Sequence, residues 1–222
     1  MITVVIPARR QDKVLENKNI LPFANSTLLH HKIAQLKVCD QAVKILVSTD
    51  CNEIAQIAKE VGATVALRPS HLSKLNADFS DLCEHISDIV DTEHVMWAPV
   101  TCPLITAKVF DTAIDDYFRA TSDGFDSLIS VNKIKRFLLD NNGPLNFRFY
   151  ESKRDKASLP TLFEFINAIS ICSVENMKKW RYSWGKIPYK YELPINMQID
   201  ICDHFDYELA KAIYDVQHEL YS

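Results

Sequence analysis

Hydrophobic and polar positions switch between two periods along most of this chain. Ile2-Thr3-Val4-Val5-Ile6 is a short apolar, β-branched run closed by Pro7, the pattern of a strand buried on both faces. A helical period follows from about Ser26 to Val38, with Leu28, Leu29, Ile33 and Leu36 as one stripe and Ser26 or Thr27 as N-cap. Val43 to Val47 predicts a second strand that ends in Ser48-Thr49-Asp50. Residues 52–61 put Ile54, Ile57, Ala58 and Val61 on one helix face, with Gly62 just past the end. The same reading gives strands at 63–67, 94–97 and 127–131 and helices at about 78–91 and 107–120.

Such alternation implies right-handed βαβ units, hence an α/β fold with a mostly parallel twisted sheet flanked by helices, Rossmann-like in outline. The pattern breaks after residue 132. Polar and aromatic residues mix through 133–162 around the turn Asn141-Asn142-Gly143-Pro144, which predicts an excursion, a lid or a dimer arm. Strand character returns at Phe163 to Cys172 and near Tyr189 to Glu192, and a last helix is expected from about Phe205 to Leu220. Residues 1–222 read as one domain with an embellishment.

Composition narrows the class. Hydrophobic residues are 47% and charged residues 24% of the chain, ordinary values for a globular protein, and no apolar run approaches a membrane span. A formal charge of −4 argues against long-range attraction to nucleic acid. The six cysteines are scattered without a CxxC pair, which favours free thiols over a disulfide framework or zinc site. The N-terminus enters a strand directly, without the pattern of a signal peptide. A cytoplasmic protein that engages neither membrane nor nucleic acid is expected. With only four glycines and no G-x-G-x-x-G, a nicotinamide-binding first turn is excluded.

Positive charge is concentrated where it matters. Arg9, Arg10, Lys13 and Lys18 follow the first strand, at the sheet edge where open α/β folds bind ligands. They suit a polyanion such as a nucleoside triphosphate, or else a solvated basic loop.

The same segment resembles the N-terminal signature A-R-x-x-S-K-G-[IL]-P-x-K-N of the acylneuraminate cytidylyltransferases (CMP-sialic acid synthetases). It stands here as Ala8-Arg9-Arg10-Gln11-Asp12-Lys13-Val14-Leu15-Glu16-Asn17-Lys18-Asn19. Further landmarks keep the family's order: Ser48-Thr49-Asp50, Arg68-Pro69 with Leu72, Pro99-Val100-Thr101-Cys102-Pro103-Leu104, and Ile199-Asp200-Ile201-Cys202-Asp203. A fainter echo lies at Leu159-Pro160 and Asn167-Ala168-Ile169.

The resemblance implies a nucleotide-diphospho-sugar transferase-like fold, a homodimer, and transfer of CMP from CTP to a sugar acid with release of pyrophosphate. It assigns Arg9, Lys18 and Asp200 to catalysis and Ala8, Arg9, Lys13, Lys18, Asn19, Arg68 and Thr101 to the nucleotide. Asn19, Lys156 and Asn167 would meet the acceptor. Magnesium is implied as cofactor, held by Asp200 with Asp203 or Asp206, because the family's second motif carboxylate is here Cys202, a poor ligand for a hard ion. The competing assignment makes Asp203 the N-cap of the last helix, with Asp206 in its first turn.

Asp12, where the family has a small hydroxyl, is expected to pair with Arg10 or a metal-bound water. Val14 removes a glycine from the loop, Pro99 stands for a glutamine, and Ile105 and Glu164 stand for arginines. These departures imply a divergent acceptor pocket. They also leave room for a catalytically impaired nucleotide-binding paralogue with a regulatory role. His30-His31 points to two helix faces and makes a poor metal pair, and Trp97, Trp180 and Trp184 are read as packing aromatics.

Overall fold

Strand β1 (Ile2–Pro7) is fully covered because both of its faces meet helices, and its side chains divide accordingly. Val4 and Ile6 enter a large core, while Val5 between them enters a second, smaller one on the opposite side. The computed structural model describes residues 1–41, 43–148 and 155–219, with side chains to residue 217.

In chain order, a tight hairpin of β2 (Pro22–Phe23) and β3 (Ser26–Thr27) precedes helix α1 (Leu28–Lys37). Thr27, one of the two expected caps, is the N-cap, its hydroxyl accepting from His30 N–H, and the helix starts at Leu28, the first residue of the apolar stripe. Next come β4 (Val43–Thr49), α2 (Asn52–Glu60), β5 (Thr64–Leu67), α3 (Phe79–Ile89), β6 (His94–Trp97) and α4 (Ala107–Ser122). Gly62, at φ +83°, occupies the left-handed position after α2.

Strand β7 (Ser127–Ile134) leads into the hairpin β8 (Leu139–Asp140) and β9 (Gly143–Pro144). This is the predicted turn at 141–144 within the excursion; residues 149–154 of that segment lie outside the described residues. The chain returns as β10 (Leu162–Ser173), then α5 (Val174–Trp180), β11 (Pro188–Glu192) and α6 (His204–Glu219). The expected end of the last helix at Leu220 also falls outside the described residues.

The main sheet has the order β11-β7-β10-β6-β1-β4-β5. Every neighbouring pair is parallel except those of β10, which runs antiparallel to β6 and β7. Leu28, Ile54, Phe110 and Ala210, from α1, α2, α4 and α6, fill the large core. Leu82, Cys83 and Ile86 of α3 and Met177 of α5 fill the small one. Each fully buried side chain of this size contributes roughly 1.5–3 kcal/mol. Helix α5 was not foreseen: it has seven residues and buries only Met177, too little for a period to show. Among the described residues no helix is long and apolar enough to cross a membrane.

Parallel pairing has one consequence for function. The carboxyl ends of β1, β4, β5 and β6 all reach the same sheet edge, carrying Arg9, Asp50, Arg68 and Thr101 with them.

Candidate active site

A cleft of about 440 Å³ opens at that edge. Arg9, Lys18, Asn19, Arg68, Thr101 and Asn167 all contribute to its wall. Six residues singled out from the sequence, dispersed over more than 150 positions, are thus brought together.

The loop after β1 is built from its own polar side chains. Asp12 accepts from the N–H groups of Val14 and Leu15 at 3.0 and 3.1 Å, which closes the turn, and its other oxygen pairs with Lys18 at 3.1 Å. Asp12 therefore pairs with Lys18 rather than with Arg10. Burial alone would raise its carboxyl, but those N–H groups and the ammonium hold it below the ordinary value. Val14 needs no glycine: the left-handed residue of the loop is Asn17, at φ +53°, a residue type that tolerates this region. Asn17 opens a 3-10 turn over Lys18–Ile20, which aims Lys18 and Asn19. The Asn19 amide donates to the Arg9 carbonyl at 2.6 Å.

Arg68 is fixed by the end of β4. Its Nε donates to Ser48 Oγ at 2.9 Å and its Nη2 to the Ser48 carbonyl at 3.0 Å. Burial draws this guanidinium down to about 10; Asp50 opposes the shift and Arg9 adds to it, so Arg68 stays charged at neutral pH. Asp50 also accepts from Arg10 N–H at 2.8 Å. Two guanidiniums thus sense one another across a space open to solvent, an arrangement that favours an anion between them.

The C-terminal segment closes the far side. Ile201 N–H donates to the Thr101 carbonyl at 2.8 Å, and the Lys18 ammonium donates to the Ile201 carbonyl at 3.3 Å. Asp200, half-buried, precedes this residue and does not line the cleft. Asp203 accepts from Asp206 N–H at 3.0 Å, while Asp206 accepts from the N–H groups of Cys202 and Asp203. The two carboxylates form a capping box at the start of α6, as the competing assignment had it. Burial and the surrounding carboxylates push the Cys202 thiol up, keeping it protonated. Among the described residues no group of three or more His, Cys, Asp or Glu side chains is placed to hold a metal unaided.

Beside the cleft, and sharing Pro7, Phe79, Pro99 and Asn167 with it, lies a recess of about 240 Å³. Its wall is aromatic: Phe79, Trp97, Phe165, Tyr182 and Trp184, with Phe79–Trp97 centroids 5.2 Å apart and Tyr182–Trp184 centroids 5.4 Å apart. Among the described residues, the buried Trp184 Nε1 has no hydrogen-bond partner. Asn167 reaches both spaces because β10 bulges between Phe165 and Ser170, and Ser130 Oγ braces the bulge by bonding Ile166 O, Ile169 O and Ile169 N. The loop that carries Trp184 is pinned at Gly185, where a Cβ would lie 2.4 Å from Asp126 Oδ2, and Asp126 itself accepts from the N–H groups of Lys186 and Ile187.

Three predicted contacts lie elsewhere. Lys13 is exposed and off the cleft wall, Lys156 is exposed in a short 3-10 turn of the excursion, and Ala8 is buried, its N–H bonded to Ser48 O. The sequence reading passed over Phe79, Phe165 and Tyr182, and it took Trp97 and Trp184 as packing alone. Aromatics gathered at 165 and 180–184 were the available signal.

Solved structures share this architecture. CMP:2-keto-3-deoxy-manno-octonic acid synthetase, complexed with CTP, superposes with a TM-score of 0.71 at 12% identity, covering 97% of this chain and 99% of that one. A 4-diphosphocytidyl-2C-methyl-D-erythritol synthase from Anaerococcus prevotii gives 0.64 at 12% identity, covering 96% of each chain. Fold and cleft together define an α/β protein with its cleft at the carboxyl edge of a mostly parallel sheet. More narrowly, the cytidylyltransferase family model matches residues 3–221, and the chain belongs to that family. The N-acylneuraminate cytidylyltransferase of Escherichia coli is 26% identical over 218 residues, 96% of this chain and 52% of the relative. The pseudaminic acid cytidylyltransferase of Campylobacter jejuni is 23% identical over 224 residues, 97% of both. The chain spans about half the length of the first of these relatives and nearly all of the second.

Proposed function

We propose that this protein transfers the cytidylyl group of CTP to a hydroxyl of a sugar acid, releasing pyrophosphate. The observation that carries the reading is the meeting of Arg9, Lys18 and Arg68 on one cleft that adjoins a separate aromatic recess. Arg9 and Arg68 grip triphosphate oxygens, a task suited to planar forked donors. The acceptor hydroxyl oxygen forms its bond to the α-phosphorus as its proton passes to water, while the bond to the bridging oxygen breaks and the electron pair leaves on pyrophosphate. Lys18, Arg9 and Arg68 offset the charge that develops, so positioning and electrostatics supply most of the catalysis.

The cofactor would be magnesium, which Asp200 would hold together with nucleotide oxygens and water. This donor set fits, because magnesium commonly takes one or two carboxylates plus substrate phosphates. The reading leaves out Asp203 and Asp206, each of which has one carboxylate oxygen engaged in capping α6, and the protonated Cys202. When bound, the metal polarises phosphoryl oxygens.

The recess receives the acceptor. Five aromatics and an unpartnered indole N–H suit an N-acyl substituent, whose methyl packs on rings and whose carbonyl accepts from Trp184. The acceptor in the name of one relative, N-acylneuraminate, agrees with an acylated sugar acid. We further propose that the protein acts as a cytoplasmic homodimer through its excursion.

The test is pyrophosphate release from CTP, with ATP, GTP and UTP as controls, across a panel of sugar acids with and without N-acyl groups. Turnover restricted to CTP and an N-acylated acceptor is expected. CTP binding without release across the whole panel would instead favour the impaired paralogue, the reading that Cys202 motivates.

A further inference from the structure

Beneath the cleft lies a side chain that no motif accounts for. Lys32, on α1, is completely buried, and its ammonium donates to the Cys102 carbonyl at 2.8 Å and lies 4.9 Å from the Phe110 ring centroid. An ammonium withdrawn from water is costly unless something of opposite charge offsets it. Burial draws Lys32 down to about 8, and Asp200 is the carboxylate whose charge acts against that shift. The neighbouring Cys39 and Cys102 thiols are pushed up by burial, so at neutral pH they bring no negative charge.

The connections place Lys32 behind the site. It bonds Cys102 O, Gln35 of the same helix donates to Pro103 O at 2.7 Å, and Thr101 O accepts from Ile201 N–H, next to Asp200. Helix α1 therefore grips the Thr101–Pro103 turn from below, and that turn grips the Asp200 segment.

We propose that Lys32 is a positioning residue: its buried ammonium fixes the Thr101–Pro103 turn and sets a positive charge behind Asp200, against which a metal–nucleotide complex binds. This rests on the reading of Asp200 as the metal's carboxylate. Repulsion from that charge limits metal affinity and lets the product complex leave, while the hydrogen bond to Cys102 O keeps the turn in register.

Lys32→Met and Lys32→Gln separate the two parts, since Gln keeps a donor and both lose the charge. Manganese binding in the presence of CTP, followed by electron paramagnetic resonance without acceptor, is read beside kcat and KM, with circular dichroism checking the fold. Both variants are expected to bind manganese at least threefold more tightly than wild type. The kcat of Lys32→Met is expected to fall at least tenfold and that of Lys32→Gln less, with KM for CTP within about twofold. Manganese affinity in the folded variants that is unchanged, or weaker, overturns the proposal. If Lys32→Met does not fold, Lys32→Gln decides alone. Wild type that binds manganese with CTP yet transfers nothing sinks the functional reading and leaves the Lys32 test standing. Wild type that binds no manganese with CTP overturns both.

Discussion

Lys18 bonds the Ile201 carbonyl at 3.3 Å while its ammonium pairs with Asp12 at 3.1 Å, so one side chain ties the loop after the first strand to a segment 183 residues further on. The contact brings the cations of the opening loop to the Asp200 segment. A nucleotide held by the first and a metal held by the second would share one site.

Arg9→Ala is expected to abolish CTP turnover while the fold persists. Removing one charge-assisted donor from a preorganised anion site costs about 10²–10³ in kcat/KM. The Arg9 side chain contributes to the cleft wall, so stability should move little. Steady-state pyrophosphate release and a thermal melt give the two readouts. Activity like that of wild type would remove Arg9 from the mechanism.

Asp12 gives the protein an acid-sensitive joint. Its folded-state carboxyl is held below the unfolded value, so it adds stability above the ordinary carboxylate range, and this is lost as pH falls through the depressed value. Asp12→Asn keeps an oxygen for the Val14 and Leu15 N–H groups and removes the charge facing Lys18. At pH 7 the variant should melt below wild type. The gap should narrow as pH drops below about 4, where an unfolded-state aspartate is protonated. Urea unfolding across pH 3–7 measures this, and a gap that widens on acidification contradicts it.

Trp184→Phe deletes the unpartnered N–H and keeps most of the ring. One lost hydrogen bond of about 1 kcal/mol predicts a roughly fivefold loss in kcat/KM for an N-acylated acceptor, with KM for CTP unchanged. An acceptor without an acyl carbonyl should lose nothing. Equal losses on both acceptors would move Trp184 out of the acceptor site and back to packing. Gly185→Ala is the harsher companion, because its Cβ meets Asp126 and the Trp180 ring. It should lower acceptor turnover together with thermal stability.

How much of this was legible beforehand follows from the range of each signal. Strands such as 2–6 and 43–47 and the helix at 107–120 carry enough periodic residues to be read locally, and their parallel order brought Arg9, Arg68 and Thr101 to one edge as expected. The capping box of Asp203 and Asp206 was likewise visible in four residues. Other features depend on distant partners. Lys18 reaches Ile201 only because β1 lies beside β4 and β6, and Lys32 shows itself as a buried ammonium only once the turn at Cys102 folds over it. The aromatic recess needed a bulge whose brace, Ser130, sits 36 residues away from the carbonyl it holds. No local period encodes such a pairing.

Cys202 offers the sharpest test of the metal assignment. The resemblance puts a carboxylate at this position, whereas here a protonated thiol stands two residues from Asp200, exposed, with its own N–H already bonded to Asp206. If Asp200 holds magnesium with nucleotide oxygens, Cys202→Asp adds a second hard ligand to a shell that readily takes two. Half-saturating magnesium should then fall about tenfold, equivalent to about 1.4 kcal/mol. Cys202→Ser, similar in size and uncharged, should stay within about twofold of wild type. Magnesium titrations of pyrophosphate release at saturating CTP distinguish these outcomes. An unchanged requirement in Cys202→Asp would place the metal away from this segment, and the search for its ligands would turn to the carboxylates on the cleft wall, Asp12 beside Lys18 and Asp78.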